Sequence, residues 1–225
     1  MIIKGKKREL ENKAASSIVD LLIKTIRKKG IATLEIPGGG SVGGILRLLA
    51  EKQIPWKKLH IFMVDERLVY LNDKDSNYKL VYNTLLKKII RRKNKLPKEN
   101  FHPFVLTEKI NKDIENYMRG LKEVSDYFDI VLLSADEDRH VASLFPNHET
   151  IKSKKKFFTY KNKSTKLPKG RMSASINFYQ NLMFPFCFSL ASQKGKHLRI
   201  LKIQKCQLMS VLLKLLSKFG GIIFS

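Results

Sequence analysis

Cysteine is scarce in this chain of 225 residues. The two thiols, Cys187 and Cys206, give neither a disulfide framework nor the paired spacing of a metal site, which is typical of a reducing compartment. No apolar stretch approaches the ~20 residues that a membrane-spanning helix needs. The N-terminus also lacks the apolar segment of a secretory signal. These absences predict a cytoplasmic protein that is not inserted in a membrane.

Acidic residues are also few, with 20 Asp and Glu against 44 Lys and Arg, so that the formal net charge is +24. Such a charge fits a nucleic-acid-binding protein, because basic side chains displace counterions from phosphates. It equally fits a lysine-rich composition spread over solvated faces. The basic runs are scattered and carry no interleaved aromatic side chains for base stacking. We therefore expect no nucleic-acid partner, although the charge attracts anionic substrates in either case.

Apolar periodicity alternates between strand and helix along the chain. It predicts helices over residues 9–29, 42–52, 78–93, 110–124 and 207–220, with Gly30 ending the first and one of Asp75, Ser76 and Asn77 capping the third. It predicts strands over residues 31–36, 58–66, 128–133, 157–160 and 181–191. This alternation indicates an α/β fold, a three-layer, mainly parallel Rossmann-like sheet with helices on both faces. We expect one domain over residues 1–225.

Ligands of such sheets bind beyond the carboxyl ends of the strands, which selects residues 37–44, 65–78 and 134–146. The first segment is a glycine turn in which backbone N–H groups and the Ser41 hydroxyl can hold an anion. Its glycines formally match the dinucleotide fingerprint G-x-G-x-x-G, but Asp65 lies about five residues late for the expected acidic partner. A phosphate site is favoured, and a nucleotide-dependent oxidoreductase stays open.

The other two segments carry charged and titratable side chains. Asp65 and Arg67 at the end of a strand can orient water or bind sugar hydroxyls, or form a structural ion pair. His140 stands where a helix is expected to start, and Asp138 can orient its ring, as a general base requires. His140 and His148 are eight residues apart, which does not fit a helical metal-ligand pair.

Motifs in these three segments resemble one known family. The stretch GGGSV resembles that family's GGST phosphate turn, VDERLVYLNDKDSNY its GDER…DSNY segment, and LSADEDRHVASLFPNH its LGMGPDGHTASLFPGH signature. Further on, LPKGRMS resembles its P-x-R-I-T segment. The family is that of the 6-phosphogluconolactonases and glucosamine-6-phosphate isomerases, and the likeness runs over residues 30–196. The stretch ASLFP after Asp-x-His favours the lactonase branch, because the deaminases have Asn-Glu-Pro at that place and a tyrosine after the Asp-Glu.

This resemblance implies hydrolysis of 6-phospho-D-glucono-1,5-lactone to 6-phosphogluconate, without a metal or other cofactor. It implies that Gly39, Gly40 and Ser41 hold the substrate phosphate, with Arg171 and Lys196 as its counter-charges.

The same resemblance makes His140 the general base that takes a proton from the attacking water. Asp138 would then orient His140, while Asp65 and Arg67 would line the sugar side. The expected protein is a monomer or a weak dimer.

Several residues depart from the family's pattern. Ser134, Asp136 and Arg139 stand where the family has glycines, and a β-carbon costs on the order of 1 kcal/mol wherever such a backbone needs a positive φ. A catalytically impaired relative that only binds sugar phosphates therefore remains an alternative. A glucosamine-6-phosphate isomerase-type enzyme is a further one.

Overall fold

The computed structural model describes residues 2–107, 109–135, 140–145, 148–161, 167–180, 186–191 and 198–203. The strands are β1 Ile2–Gly5, β2 Ala32–Ile36, β3 Leu59–Met63, β4 Asp65–Arg67, β5 Phe101–His102, β6 Ile130–Ala135, β7 Phe157–Lys161, β8 Gly170–Ala174, β9 Phe186–Ala191 and β10 Leu198–Ile203. The α-helices are α1 Lys7–Lys29, α2 Gly43–Leu49, α3 Asn77–Val81, α4 Lys87–Ile89, α5 Ile110–Val124 and α6 Ile176–Gln180. A π-helical turn, Tyr82–Leu86, joins α3 to α4. The helix expected over residues 207–220 lies outside the described residues.

The larger sheet of the described chain has seven strands in the order β1-β10-β9-β6-β2-β3-β5. Strands β9, β6, β2, β3 and β5 run parallel to one another, while β10 and β1 add an antiparallel edge. The sequence prediction of a mainly parallel sheet is therefore confirmed.

The two faces of this sheet carry different layers because successive strand side chains point to opposite sides. Ile61, Met63, Ile130 and Leu132 pack in one core with α1, α2 and the helical segment 77–89. Phe62, with Val131 and Leu133, packs in a second core on the other side, against α5 and α6. This confirms the expected three-layer arrangement. Within the described residues, no helix is long and apolar enough to cross a membrane.

A second, three-stranded antiparallel sheet, β4-β8-β7, was not predicted from the sequence. The expected strand over residues 58–66 divides at Val64. The Val64 amide donates to the Ile36 carbonyl in the larger sheet, at 2.9 Å, and the Val64 carbonyl accepts from the Ala174 amide at 3.0 Å. The chain thus passes at this residue from the parallel sheet to the smaller one, where β4 begins.

Helix α1 ends where the sequence indicated. The Gly30 amide donates to the Ile26 carbonyl, and Gly30 has φ +87°, a conformation that L side chains rarely adopt. At the last residue of α1, the Lys29 ammonium lies 2.6 Å from the carboxylate of Asp129. The other oxygen of Asp129 accepts from the Thr33 amide at 2.9 Å and from its hydroxyl at 3.0 Å. One buried carboxylate therefore joins α1, β2 and the start of β6.

Replacing this carboxylate should lower the stability of the fold. We expect Asp129→Ala to cost roughly 1–3 kcal/mol for each buried donor that it leaves unsatisfied, measured by urea unfolding. Asp126→Ala, which removes an exposed carboxylate three residues earlier, is the matched control and should leave the midpoint unchanged. Equal midpoints for the two variants would contradict the role given to Asp129.

Candidate active site

The glycine turn follows β2 and is held by a close contact with the start of α3. A β-carbon at Gly38 would lie 2.2 Å from the β-carbon of Asn77, so only glycine fits there. A short 3-10 turn, Gly40–Val42, then leads into α2. The Ser41 hydroxyl oxygen is buried and makes no hydrogen bond within the described residues, which leaves it available to a ligand.

The turn also lies beside the end of β6. A β-carbon on Gly39 would be 3.3 Å from the Ser41 hydroxyl oxygen and 3.6 Å from that of Ser134. The first and third segments that the sequence selected are thus neighbours, as expected for the carboxyl ends of adjacent parallel strands.

The second segment is organised by Glu66, which is completely buried. Its carboxylate accepts hydrogen bonds from the amides of Arg67, Asn77 and Tyr78 at 2.6 to 2.7 Å and from the Ser76 hydroxyl at 3.2 Å. Ser76 is the N-cap of α3, one of the three residues proposed for that role, and its hydroxyl accepts from the Lys79 amide. Glu66 does not stand out in the sequence, since none of these donors except Arg67 is close to it along the chain.

Burial raises the pKa of Glu66 to about 7, although the three backbone N–H donors act in the opposite direction. A second carboxyl, that of Glu35 on β2, is also completely buried. Burial raises the pKa of Glu35 well above its ordinary value; the Tyr179 hydroxyl opposes this, and the charge of Asp65 adds to it. Two buried carboxyl groups close to Asp65 therefore resist ionisation.

Asp65 and Arg67 lie on β4, directly opposite Ser173 and Arg171 of β8. The two arginines are therefore cross-strand neighbours, although more than a hundred residues separate them in the sequence. Arg67 donates from Nη1 to the Asp75 carbonyl at 2.7 Å, and Arg171 is only 5% exposed. The sequence left open a structural ion pair between Asp65 and Arg67. These two residues form no salt bridge with each other in the described chain.

His140 precedes a tight turn rather than a helix, so the helix start expected there is wrong. The amides and carbonyls of Val141 and Leu144 exchange hydrogen bonds of 3.1 and 2.9 Å, and Ala142 has φ +54°. The imidazole of His140 stacks on Phe145, with the ring centroids 4.8 Å apart and the planes within 11°. This contact fixes the plane of a half-buried ring.

Ser143, which sequence analysis did not select, connects this turn to the second sheet. Its hydroxyl donates to Asp65 Oδ2 at 2.6 Å, and its amide donates to the Ser173 hydroxyl at 3.3 Å. The carboxylate of Asp65, itself 7% exposed, is thus tied to the turn that carries His140. The only sequence signal was the position of Ser143 three residues after the histidine.

Two of the predicted site residues, Asp138 and Lys196, lie outside the described residues, as do Asp136 and Arg139. Of the three substituted glycine positions, only Ser134 is described. It does not have a positive φ, and in the described chain Ala142 is the non-glycine residue that does. The backbone strain anticipated for a β-carbon at position 134 is therefore not found. Among all the described residues, no group of three or more His, Cys, Asp or Glu side chains could hold a metal ion.

The chain is similar to proteins of one family. The family model for glucosamine-6-phosphate isomerases/6-phosphogluconolactonase matches residues 5–187. A probable 6-phosphogluconolactonase 4 of Arabidopsis thaliana is 33% identical over 190 residues, which are 76% of this chain and 71% of the relative. The 6-phosphogluconolactonase of Borreliella burgdorferi is 31% identical over 164 residues, 72% of this chain and 69% of the relative.

Solved structures confirm the fold. The crystal structure of 6-phosphogluconolactonase from Thermotoga maritima superposes with a TM-score of 0.70 at 24% identity, covering 79% of this chain and 78% of that one. At this identity the likeness supports the architecture and leaves the role of each side chain to the local geometry.

The contact between Gly38 and Asn77 can be tested by a single methyl group. We expect Gly38→Ala to destabilise the protein by roughly 1–3 kcal/mol, the usual cost of overpacking, because the new β-carbon would meet the backbone of Asn77 as well as its side chain. Gly40→Ala is the matched control, since nothing lies within 4 Å of a β-carbon there. Thermal unfolding of both variants gives the comparison, and an unaltered Gly38→Ala midpoint would rule out the close approach.

Proposed function

This chain belongs to the glucosamine-6-phosphate isomerase/6-phosphogluconolactonase family, and on that premise we propose that it hydrolyses 6-phospho-D-glucono-1,5-lactone to 6-phosphogluconate. One observation carries the assignment to this site. Gly38 of the glycine turn contacts Asn77, and the Asn77 side chain donates to the carbonyl of Asp65 on β4. Asp65 in turn accepts from Ser143 of the histidine turn, so the contacts run from the glycine turn through the strand of Arg67 to the histidine turn. These contacts support a site in which phosphate donors and a base act on one substrate. We place this reaction in the cytoplasm, in a protein without nucleic-acid or membrane partners.

The phosphate of the substrate occupies the glycine turn in this proposal. Gly39 and Gly40 offer backbone N–H groups, and the buried Ser41 hydroxyl, which has no hydrogen bond of its own within the described residues, completes the cradle. Arg171 supplies a counter-charge from β8, and Lys196 supplies a second. The net charge of +24 draws the dianionic substrate toward the protein before these contacts form.

The chemistry requires one base. His140 takes a proton from water as the water oxygen attacks C1 of the lactone. The C1–O5 bond then breaks, and the ring oxygen leaves with the proton that His140 returns, so that water is added across one bond and nothing else is consumed. Asp138 orients the imidazole. A lactone is an activated ester, so positioning by the phosphate together with one base worth ~10²–10⁴-fold is sufficient.

Asp65 and Arg67 line the sugar side. The side-chain Nδ2 of Asn77 donates to the Asp65 backbone carbonyl at 2.9 Å, and the Ser143 hydroxyl donates to the Asp65 carboxylate, so both ends of Asp65 are fixed. Arg67 keeps one guanidinium nitrogen on the Asp75 carbonyl, and its Nε is buried with no hydrogen bond within the described residues. Both side chains are therefore pre-ordered before a sugar binds.

The role of His140 gives the first kinetic test. We expect the purified protein to speed loss of the lactone above its spontaneous rate, and His140→Ala to lower kcat about 10²–10⁴-fold while the fold is retained. His60→Gln, at the far end of β3, is the control and should keep wild-type turnover.

Other outcomes of this test discriminate between the alternatives. Thermal stabilisation by 6-phosphogluconate without turnover would instead identify the sugar-phosphate-binding relative. Turnover of glucosamine 6-phosphate would identify the isomerase. Activity that survives in His140→Ala would remove His140 as the base.

The hydrogen bond from Ser143 to Asp65 gives the second kinetic test. We expect Ser143→Ala to lower kcat by up to ~10²-fold with little change in KM, because the base is misplaced while the phosphate site is intact. Ser143→Thr keeps a hydroxyl and should recover part of the rate. Ser153→Ala, which removes a hydroxyl that accepts from the Lys155 amide near the surface, is the control. An increase of KM alone would contradict the positioning role.

A further inference from the structure

The last residue of β3, Met63, lies beside the point where the neighbouring edge strand stops. Strand β5 consists of two residues, and the second of them, His102, is opposite Phe62. The position opposite Met63 would be that of Pro103, which is not part of the strand. The end of β3 therefore has a strand neighbour in β2 but none in β5, just before the chain leaves the larger sheet.

Tyr117 on α5 provides both hydrogen bonds that Met63 needs there. The hydroxyl oxygen of Tyr117 accepts from the Met63 amide at 2.7 Å, and the hydroxyl proton is donated to the Met63 carbonyl, also at 2.7 Å. The two residues are 54 positions apart, so no local pattern in the sequence indicates the contact. Because buried backbone groups need partners, one side-chain hydroxyl here takes the place of a neighbouring strand.

The ring of Tyr117 is fixed by its neighbours, so its hydroxyl has a defined position. Three phenylalanine rings meet it edge to face, those of Phe62, Phe104 and Phe157, with ring centroids 6.1, 5.9 and 5.3 Å away. Tyr117 is only 6% exposed. Burial raises the pKa of Tyr117, so the hydroxyl keeps the proton that it donates.

The backbone that Tyr117 holds lies two residues before Asp65. Val64, between Met63 and Asp65, is bonded to β2 through its amide and to β8 through its carbonyl. The carboxylate of Asp65 then accepts from the Ser143 hydroxyl of the histidine turn at 2.6 Å. The place where the chain passes from one sheet to the other is thus held by β2, by β8 and by the hydroxyl from α5, and Asp65 follows directly after it.

We propose that Tyr117 is a positioning residue of the active site: its hydroxyl fixes the backbone of Met63 and thereby sets where Asp65 stands relative to the histidine turn. This inference rests on the proposed lactone hydrolysis and adds to it a side chain that acts through Asp65 rather than on the substrate. Without the hydroxyl, the buried amide and carbonyl of Met63 lose their partners, which is costly. The chain would shift at Met63 to reach other partners, and Asp65 would move with it.

Tyr117→Phe tests the proposal kinetically, because it removes the hydroxyl and keeps the ring. We expect kcat for the lactone to fall roughly 10- to 10²-fold while KM changes less than about threefold, since the base is misplaced but the glycine turn after β2 is kept. Asp129→Ala is the matched control. It also deprives a buried backbone amide of its acceptor, but at the opposite ends of β2 and β6, and should keep wild-type kcat where it is folded. Wild-type kcat in Tyr117→Phe, even with a lowered unfolding midpoint, would overturn the positioning role.

Amide hydrogen exchange tests the placement independently of turnover. In Tyr117→Phe, the amides of residues 63–67 should gain at least about tenfold in exchange rate relative to those of β6. An equal change in both segments would indicate a global loss of stability and would overturn the proposal. An inactive wild-type protein would refute the proposed hydrolysis but not the placement of Asp65, which the exchange rates decide alone.

The wild-type protein provides a measurement for the case in which Tyr117→Phe does not fold. The Met63 amide, whose acceptor is the Tyr117 hydroxyl, should be protected from exchange although β5 has ended. Exchange of this amide as fast as in an unfolded chain would show that the hydroxyl does not hold it, and would equally overturn the proposal.

Discussion

The buried carboxylate of Glu66 is the interaction on which the rest of the candidate site depends. It gathers three backbone amides and one hydroxyl, and in doing so it folds the segment between β4 and α3 back onto its own start. Two of these amides belong to the first residues of α3, where an acceptor is needed because the helix itself provides none.

Two further parts of the site take their positions from this arrangement. Asn77, whose amide bonds to Glu66, is placed so that its own side chain donates to the Asp65 carbonyl. The same residue packs on Gly38 so tightly that no β-carbon fits between them. The glycine turn after β2 and Asp65 on β4 are therefore set relative to each other through Asn77, and the position of Asn77 is set by Glu66. Motion of the segment would move both at once.

Sequence patterns predicted the elements whose signal is local. Apolar spacing and Gly30 gave α1, and buried apolar runs gave β2, β3 and β6. In the second sheet the sequence predicted β7 but not the pairing of the strands, since β4 has only three residues and pairs with β8 more than a hundred positions later. The same holds for the site. His140 and the glycine turn stand out as residue types, whereas Ser143 and Glu66 act through partners that only the folded chain brings near. Asp138 and Lys196 were selected from the family motifs alone.

The departures from the family's glycines bear on how the histidine is held. A glycine beside a catalytic residue usually marks a backbone that needs φ > 0. Ser134 has no such φ, and the strained backbone lies instead at Ala142, after the histidine. A strained residue persists only where its surroundings over-determine it. Here the reciprocal hydrogen bonds of Val141 and Leu144, and those of Ser143 to Asp65 and Ser173, provide that constraint. The position of the imidazole is therefore fixed from the second sheet, through contacts that the substitution at position 134 does not touch.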